Sequence, residues 1–505
     1  MGAGSHQTAL KHRRPPGISE RFSPMQPVHV LILVGYILLM VLVGAWFSRR
    51  KKVADGEDFM LAGRSLPAPV LAGTLLATFV GSGSIIGGAS FVYTYGPVAG
   101  IFFFAGTVVG IICLYFMATK VRRLSHHTIP EMLEVRFGRP VRIIATVIIL
   151  VAFVGITAYQ FTGAGSILSI ITPLSTAQGT IVAAILITFL ALGGGLKSVA
   201  WTDFISVIII VLALVGTLAV VFIADVGGIG GYVDRLDPAL TSLTGTLTPV
   251  QLLGYFLPLF LLILGDQNMH QRLAAGRSEG TARKATIGFF VGAVVLLGTI
   301  ILLASSSSFL LPDIEPGQAI LGLAGTDLVP LGIGGLLLAG AFALIVTTGS
   351  SYLLTCSGNI VYDLVLQRRN SSRDPQRALK LGRWAVLAVT VLAYVMGQFF
   401  PSVLALQMYA YTMYGVAITP VVLAALFWKR ATSWGAIAGM VVGGIATVVW
   451  QSSGRAAEIN AVVVALPLAV AALVIVSLVT RRSVPHDSDD AGTPSTAPPL
   501  ETRAS

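Results

Sequence analysis

Apolar residues in this chain neither alternate nor keep to one helical face; they run on without interruption. Segments of about 20 apolar residues, the length a helix needs to cross a bilayer, fall at 28–48, 66–95, 98–119, 142–168, 178–194, 201–224 and 250–268. More follow at 285–311, 330–362, 381–400, 402–428, 433–451 and 459–480. A helix that is apolar all round is enclosed by lipid or by other helices. The pattern therefore predicts an all-α polytopic membrane protein with about 13 transmembrane helices.

One segment departs from its own pattern. The stretch from Leu66 to Gly96 is long enough to span, yet its centre holds Gly81, Ser82, Gly83, Ser84, Gly87 and Gly88. Glycine inside a helix costs about 1 kcal/mol relative to alanine. Irregular backbone at membrane depth survives only where protein or a water-filled cavity surrounds it. Broken helices of this kind line ion and substrate sites in secondary transporters; small residues also serve close helix packing. The segment alone leaves both readings open.

Composition agrees with a membrane protein: of 505 residues, 55% are hydrophobic and 11% charged, with a mean hydropathy of +0.85. The net charge of +11 suggests nucleic acid as a partner until the basic residues are placed. They sit in loops, 27 of the 33 Lys and Arg on one side and 6 on the other. By the positive-inside rule, the chain is a multi-pass protein of the cell membrane with its N-terminus outside and its C-terminus cytoplasmic. The partners implied are the lipid bilayer and a small-molecule substrate, not nucleic acid. Cys113 and Cys356 lie inside predicted spans and form no disulfide framework. The first 25 residues lack the apolar core of a signal peptide, so 28–48 reads as a retained helix. The tails at 1–27 and 483–505 are predicted to be disordered, the first extracellular and the second cytoplasmic. Neither holds a soluble signalling module. The outside loop at 225–249 suggests a short capping helix at GGIGGYVDRL.

Polar residues within the spans narrow the chemistry. Asp203, Asp266 and Asp363 all fall near predicted span boundaries, where a carboxylate capping a helix or pairing with Arg competes with a functional role. With no carboxylate at mid-span, a buried proton relay lacks support. The ninth segment instead carries Thr347, Thr348, Ser350 and Ser351. Hydroxyls and freed carbonyls suit a hard cation such as sodium, although Ser and Thr also bond their own helix four residues back. The seven histidines (6, 12, 29, 126, 127, 270 and 486) sit in tails, loops or span ends without metal-ligand spacing, which argues against an enzyme; no organic cofactor is expected.

Taken together, six pieces resemble the sodium/solute symporter family, which contains sodium-coupled sugar, proline, pantothenate and sialic acid carriers. They are AGRSLP, ATFVGSGSIIGG, TIPEMLEVRFG, GGGLKSVAWTD, DQNMHQRLAA and TTGSSYLLTCSGNIVYDL, in the family's order over most of 28–430. The resemblance implies sodium-coupled symport by alternating access on a leucine-transporter-like 5+5 inverted repeat with helices 2 and 7 broken. The first repeat would span 66–224 (helices 2–6) and the second 250–428 (helices 7–11). The helix at 28–48 and the pair at 433–480 would be peripheral. It further implies a sodium ion held by the carbonyls of Ala77, Val80 and Leu344 and the hydroxyls of Thr347 and Thr348. Asp203, with Ser351, looks like an accessory ion position. Thr78, Phe79, Ser84, Tyr159, Gln160, Phe260, Gln407 and Tyr411 would line the solute pocket.

The seventh segment, GYFLPLFLLILG, offers Pro258 for its break but few polar groups, which disfavours a sugar. The proline carriers place an acidic residue in the second helix where this chain has Phe79, which counts against proline. The lining suits a small, partly apolar solute: a monocarboxylate, an amino acid, or a nucleobase-like or vitamin-like compound. A proton-coupled or uncoupled carrier or channel of the same fold is the alternative.

Overall fold

The computed structural model describes residues 27–49, 61–124, 127–192, 196–242, 244–365 and 375–480. Apart from Pro27, the two predicted tails lie outside these residues. Seventeen α-helices are described, in chain order α1 (Pro27–Arg49), α2 (Ala68–Phe79), α3 (Ala89–Leu124), α4 (Ile129–Phe137), α5 (Arg139–Ile171) and α6 (Thr176–Ala191). Then come α7 (Leu196–Val221), α8 (Gly228–Arg235), α9 (Pro249–Gly265), α10 (Gln267–Ala274), α11 (Glu279–Leu310) and α12 (Leu331–Gly358). The last are α13 (Pro375–Gly397), α14 (Val403–Ala417), α15 (Thr419–Phe427), α16 (Ser433–Ser452) and α17 (Val462–Val479).

Among the described residues, ten helical stretches are long and apolar enough to cross a membrane, and three shorter apolar helices run at Pro27–Met40, Ala68–Phe79 and Thr176–Ala191. The second expected span begins in α2 and ends in the first turns of α3, and the third follows within α3 after a kink at which Gly96 leaves helical geometry (φ 88°, ψ 170°) ahead of Pro97. Large apolar side chains such as Phe116, Ile185, Phe189 and Leu212 point outward, while hydroxyls, amides and charges gather inside. This distribution suits a chain whose solvent is hydrocarbon. The capping helix expected in the outside loop is α8.

Both expected breaks are present, one of them displaced. The first separates α2 from a wide helical turn at Gly83–Gly88 that continues into α3; Val80 lies between them at φ −87°, ψ 88°. The second falls at Asp266 (φ −60°, ψ 124°), between α9 and α10, and not at Pro258, which sits inside continuous α9. The physical reason lies in how each residue treats the helix. Proline withholds one N–H and crowds the carbonyl four residues back, which a helix packed among others in a membrane tolerates, whereas Asp266 leaves helical geometry and restarts the chain by capping α10 through the Met269 N–H at 3.0 Å.

α2 packs against α7 and α11 and also touches α12. α5 lies against α6, α12 and α14, while α16 and α17 pair with each other beside α14. On the face predicted to be cytoplasmic, a left-handed turn at Ala62, Gly63 and Arg64 precedes a parallel bridge between Leu66 and Gly276. The Leu66 N–H donates to the Ala275 carbonyl and the Arg277 N–H to Leu66, both at 3.3 Å. The Arg277 Nε adds a bond to the Ser65 carbonyl at 2.8 Å. The start of α2 is thereby strapped to the end of α10.

Candidate ion and solute site

The first break frees carbonyl groups. In an α-helix each carbonyl accepts from the N–H four residues on. Here the Gly81 N–H turns to Phe79, the Ser82 N–H to Gln160 Oε1 and the Ser84 N–H to Gly81. Ala77, Thr78 and Val80 thereby lose their helical donors. The structure brings α12 to this point. Thr348 Oγ1 lies 2.9 Å from the Ala77 carbonyl and 2.7 Å from the Leu344 carbonyl. One hydroxyl proton serves two acceptors there, so lone pairs converge where a small cation is favoured. Thr347 Oγ1 bonds Leu344 at 3.1 Å, within its own helix. Ala77, Val80, Leu344, Thr347 and Thr348 are all buried.

Beside this cluster lies a second network that the sequence does not reveal. Asp203 is buried, and its Oδ2 accepts from Thr74 Oγ1 at 2.7 Å. Arg272, counted from sequence as a loop cation, is fully buried on α10 with its Nη2 3.6 Å from the same oxygen. Its Nε donates to Thr74 at 3.0 Å and its Nη2 to Ser351 Oγ at 3.3 Å. The other Asp203 oxygen has no hydrogen bond among the described residues. Asp203 and Ser351, paired in sequence only by resemblance, therefore share one guanidinium. The other two carboxylates at span ends are buried too. Asp266 accepts from Tyr352 OH at 3.1 Å, and Asp363 pairs with Arg142 at 2.7 Å. Of the roles open to them at a span boundary, Asp266 has taken helix capping and Asp363 pairing with arginine.

The expected solute residues divide. Gln160 Oε1 accepts from Ser82 N–H at 2.9 Å and from Ser82 Oγ at 2.8 Å, while the two tyrosine hydroxyls, Tyr159 and Tyr411, meet at 3.1 Å. Gln407 presses on the turn after the break; a Cβ on Gly83 would lie 2.8 Å from its Cδ, and one on Gly87 2.5 Å from its Oε1. Those glycines are required by the close approach. These four residues and buried Ser84 surround the first break. Thr78 Oγ1 instead bonds the Thr74 carbonyl at 2.7 Å, and Phe79 packs on Phe289 of α11. Phe260 stacks on Phe256 near α17, with no hydrogen bond or ring contact to the tyrosine pair. Ser82, which binds Gln160 and the Tyr159 carbonyl, is the lining residue missed in the sequence. Its place in the Gly-Ser cluster was the available signal.

The sequence model of the Sodium:solute symporter family matches residues 59–443. The chain is 28% identical over 467 residues to the high-affinity proline transporter PutP of Bacillus subtilis, covering 88% of this chain and 96% of that protein. It is 26% identical over 457 residues to the sodium/proline symporter of Staphylococcus aureus, covering 86% and 87%. Among solved structures, a Na+-coupled sialic acid symporter in a substrate-bound outward-open state superimposes with a TM-score of 0.76 at 20% identity. That match covers 91% of this chain and 99% of the other, and the two share a fold.

Proposed function

The chain belongs to the sodium:solute symporter family, multi-pass carriers that move solute with sodium by alternating access, and from that premise we propose where its coupling occurs and which solutes it serves. Sodium binds between the first break and α12, on the carbonyls of Ala77, Val80 and Leu344 and the hydroxyls of Thr347 and Thr348. Asp203 and Ser351, held by Arg272, form the accessory ion position. One observation carries this reading: the Thr348 hydroxyl touches carbonyls of both helices at once. An ion there fastens α2 to α12 and so favours one arrangement of the two repeats, 66–224 and 250–428. A ligand shifts such an equilibrium only through its differential affinity for the two arrangements.

The solute is small, partly apolar and carries one carboxylate, as in a neutral amino acid or a monocarboxylate. Ser82, Ser84, Tyr159, Gln160, Gln407 and Tyr411 supply hydroxyls and amides but no charge, and the helical turn that begins at Gly83 presents its positive end to an anion. Proteoliposomes should be offered L-proline, other neutral amino acids and short monocarboxylates, with and without an inward sodium gradient. Accumulation of at least one solute only with sodium is expected. Equal uptake without sodium, or uptake driven only by a proton gradient, would establish the alternative instead.

A further inference from the structure

α14 touches both breaks with one face. Gln407, Tyr411 and Tyr414 are spaced i, i+4 and i+7, which aligns them along a helix, and all three are buried. Gln407 lies against Gly83 and Gly87 after the first break. At the other end of the face, Tyr414 grips the second. Its hydroxyl donates to the Gly265 carbonyl at 2.8 Å and accepts from the Gln267 N–H at 3.1 Å. Those two groups flank Asp266, the residue at which α9 ends and α10 begins. The grip is reinforced after the bend into α15, where Thr419 Oγ1 donates to the Leu261 carbonyl at 2.8 Å. The Tyr414 ring stacks on Phe153 of α5, 5.3 Å between centroids and 7° from parallel, so its position is set independently of the hydroxyl.

We propose that Tyr414 is a positioning residue that keeps the second break closed until solute displaces α14 at Gln407 and Tyr411. Strict symport demands such a device. A carrier loaded with sodium alone must not change arrangement, or the gradient is dissipated without work. The clasp lets occupancy at the first break be felt at the second through a rigid helix rather than through the ion.

This rests on the sodium and solute sites proposed above, and the test separates the two. Parent and Tyr414→Phe are purified, binding of radioactive sodium is measured, and sodium uptake into proteoliposomes is followed with no solute present. The phenylalanine keeps the stack and deletes both hydrogen bonds. Sodium binding within about twofold of the parent and a solute-free sodium flux raised about tenfold are expected, the factor that loss of one to two net hydrogen bonds produces in a rate. Thr419→Val should raise the flux in the same direction by less. An unchanged flux in Tyr414→Phe, or loss of its sodium binding, overturns the proposal. Absence of sodium binding in the parent would instead remove the ion site on which it rests.

Discussion

At the scale of single residues, the two adjacent threonines of α12 are not equivalent. Thr348 reaches across to the Ala77 carbonyl of the first break, whereas the Thr347 hydroxyl bonds the Leu344 carbonyl of its own helix. Thr348→Val should therefore weaken sodium binding about tenfold or more, as expected for loss of an oxygen to a charged partner. Thr347→Val should weaken it less, and through linkage solute binding should fall in the same order. Equilibrium binding of radioactive sodium to both variants decides the matter; equal losses would erase the distinction. The sequence located this pair but could not rank it, because the neighbour that separates them comes from a distant segment. Arg272 was harder still. Charge counting treats every arginine alike, and nothing near DQNMHQRLAA reveals that this one folds inward to Asp203. Removing one partner of such a buried pair typically costs about 3–5 kcal/mol, while replacing both is often neutral. Arg272→Met should accordingly lower the melting temperature sharply, and adding Asp203→Asn should recover much of it. A double variant no more stable than the single one would contradict the pairing.

For whole elements, the informative case is the second broken helix. Sequence reasoning gave its existence through resemblance and assigned the break to Pro258, the residue with the strongest intrinsic claim. Helix α9 runs through that proline. The chain departs instead at Asp266, whose side chain can cap a new helix and accept from Tyr352 of α12. Propensity is a local quantity, and here the tertiary partners decided. Pro258→Ala should consequently leave sodium-driven uptake intact and the melting temperature unchanged or higher, since it restores an N–H to a continuous helix. Collapse of uptake in that variant would return the break to Pro258. The first break was legible because six of its residues announce themselves by composition alone, with Gly83 and Gly87 demanded by the approach of Gln407.

Viewed as a whole molecule, the apolar runs were enough to recover the class and most helix positions, while the count of about 13 depends on how α2 and the kinked α3 are divided. Orientation rests on the arginines and lysines. Cysteine placed at exposed Val135 should be reached by an impermeant thiol reagent only from the inside of cells, and one at exposed Asp234 only from the outside; the reverse pattern would invert the molecule. The strap between Leu66 and Gly276 has a consequence for how the protein is put together. It is a seam between the two halves of the polypeptide, and α2 lying against α11 and α12 is another. Halves that meet along several seams need no peptide bond between them. A gene cut in the outside loop after Asp237 should therefore yield two polypeptides that find each other in the membrane, co-purify and together restore uptake. Continuity of the chain would then be a convenience of synthesis, with assembly specified by the surfaces alone.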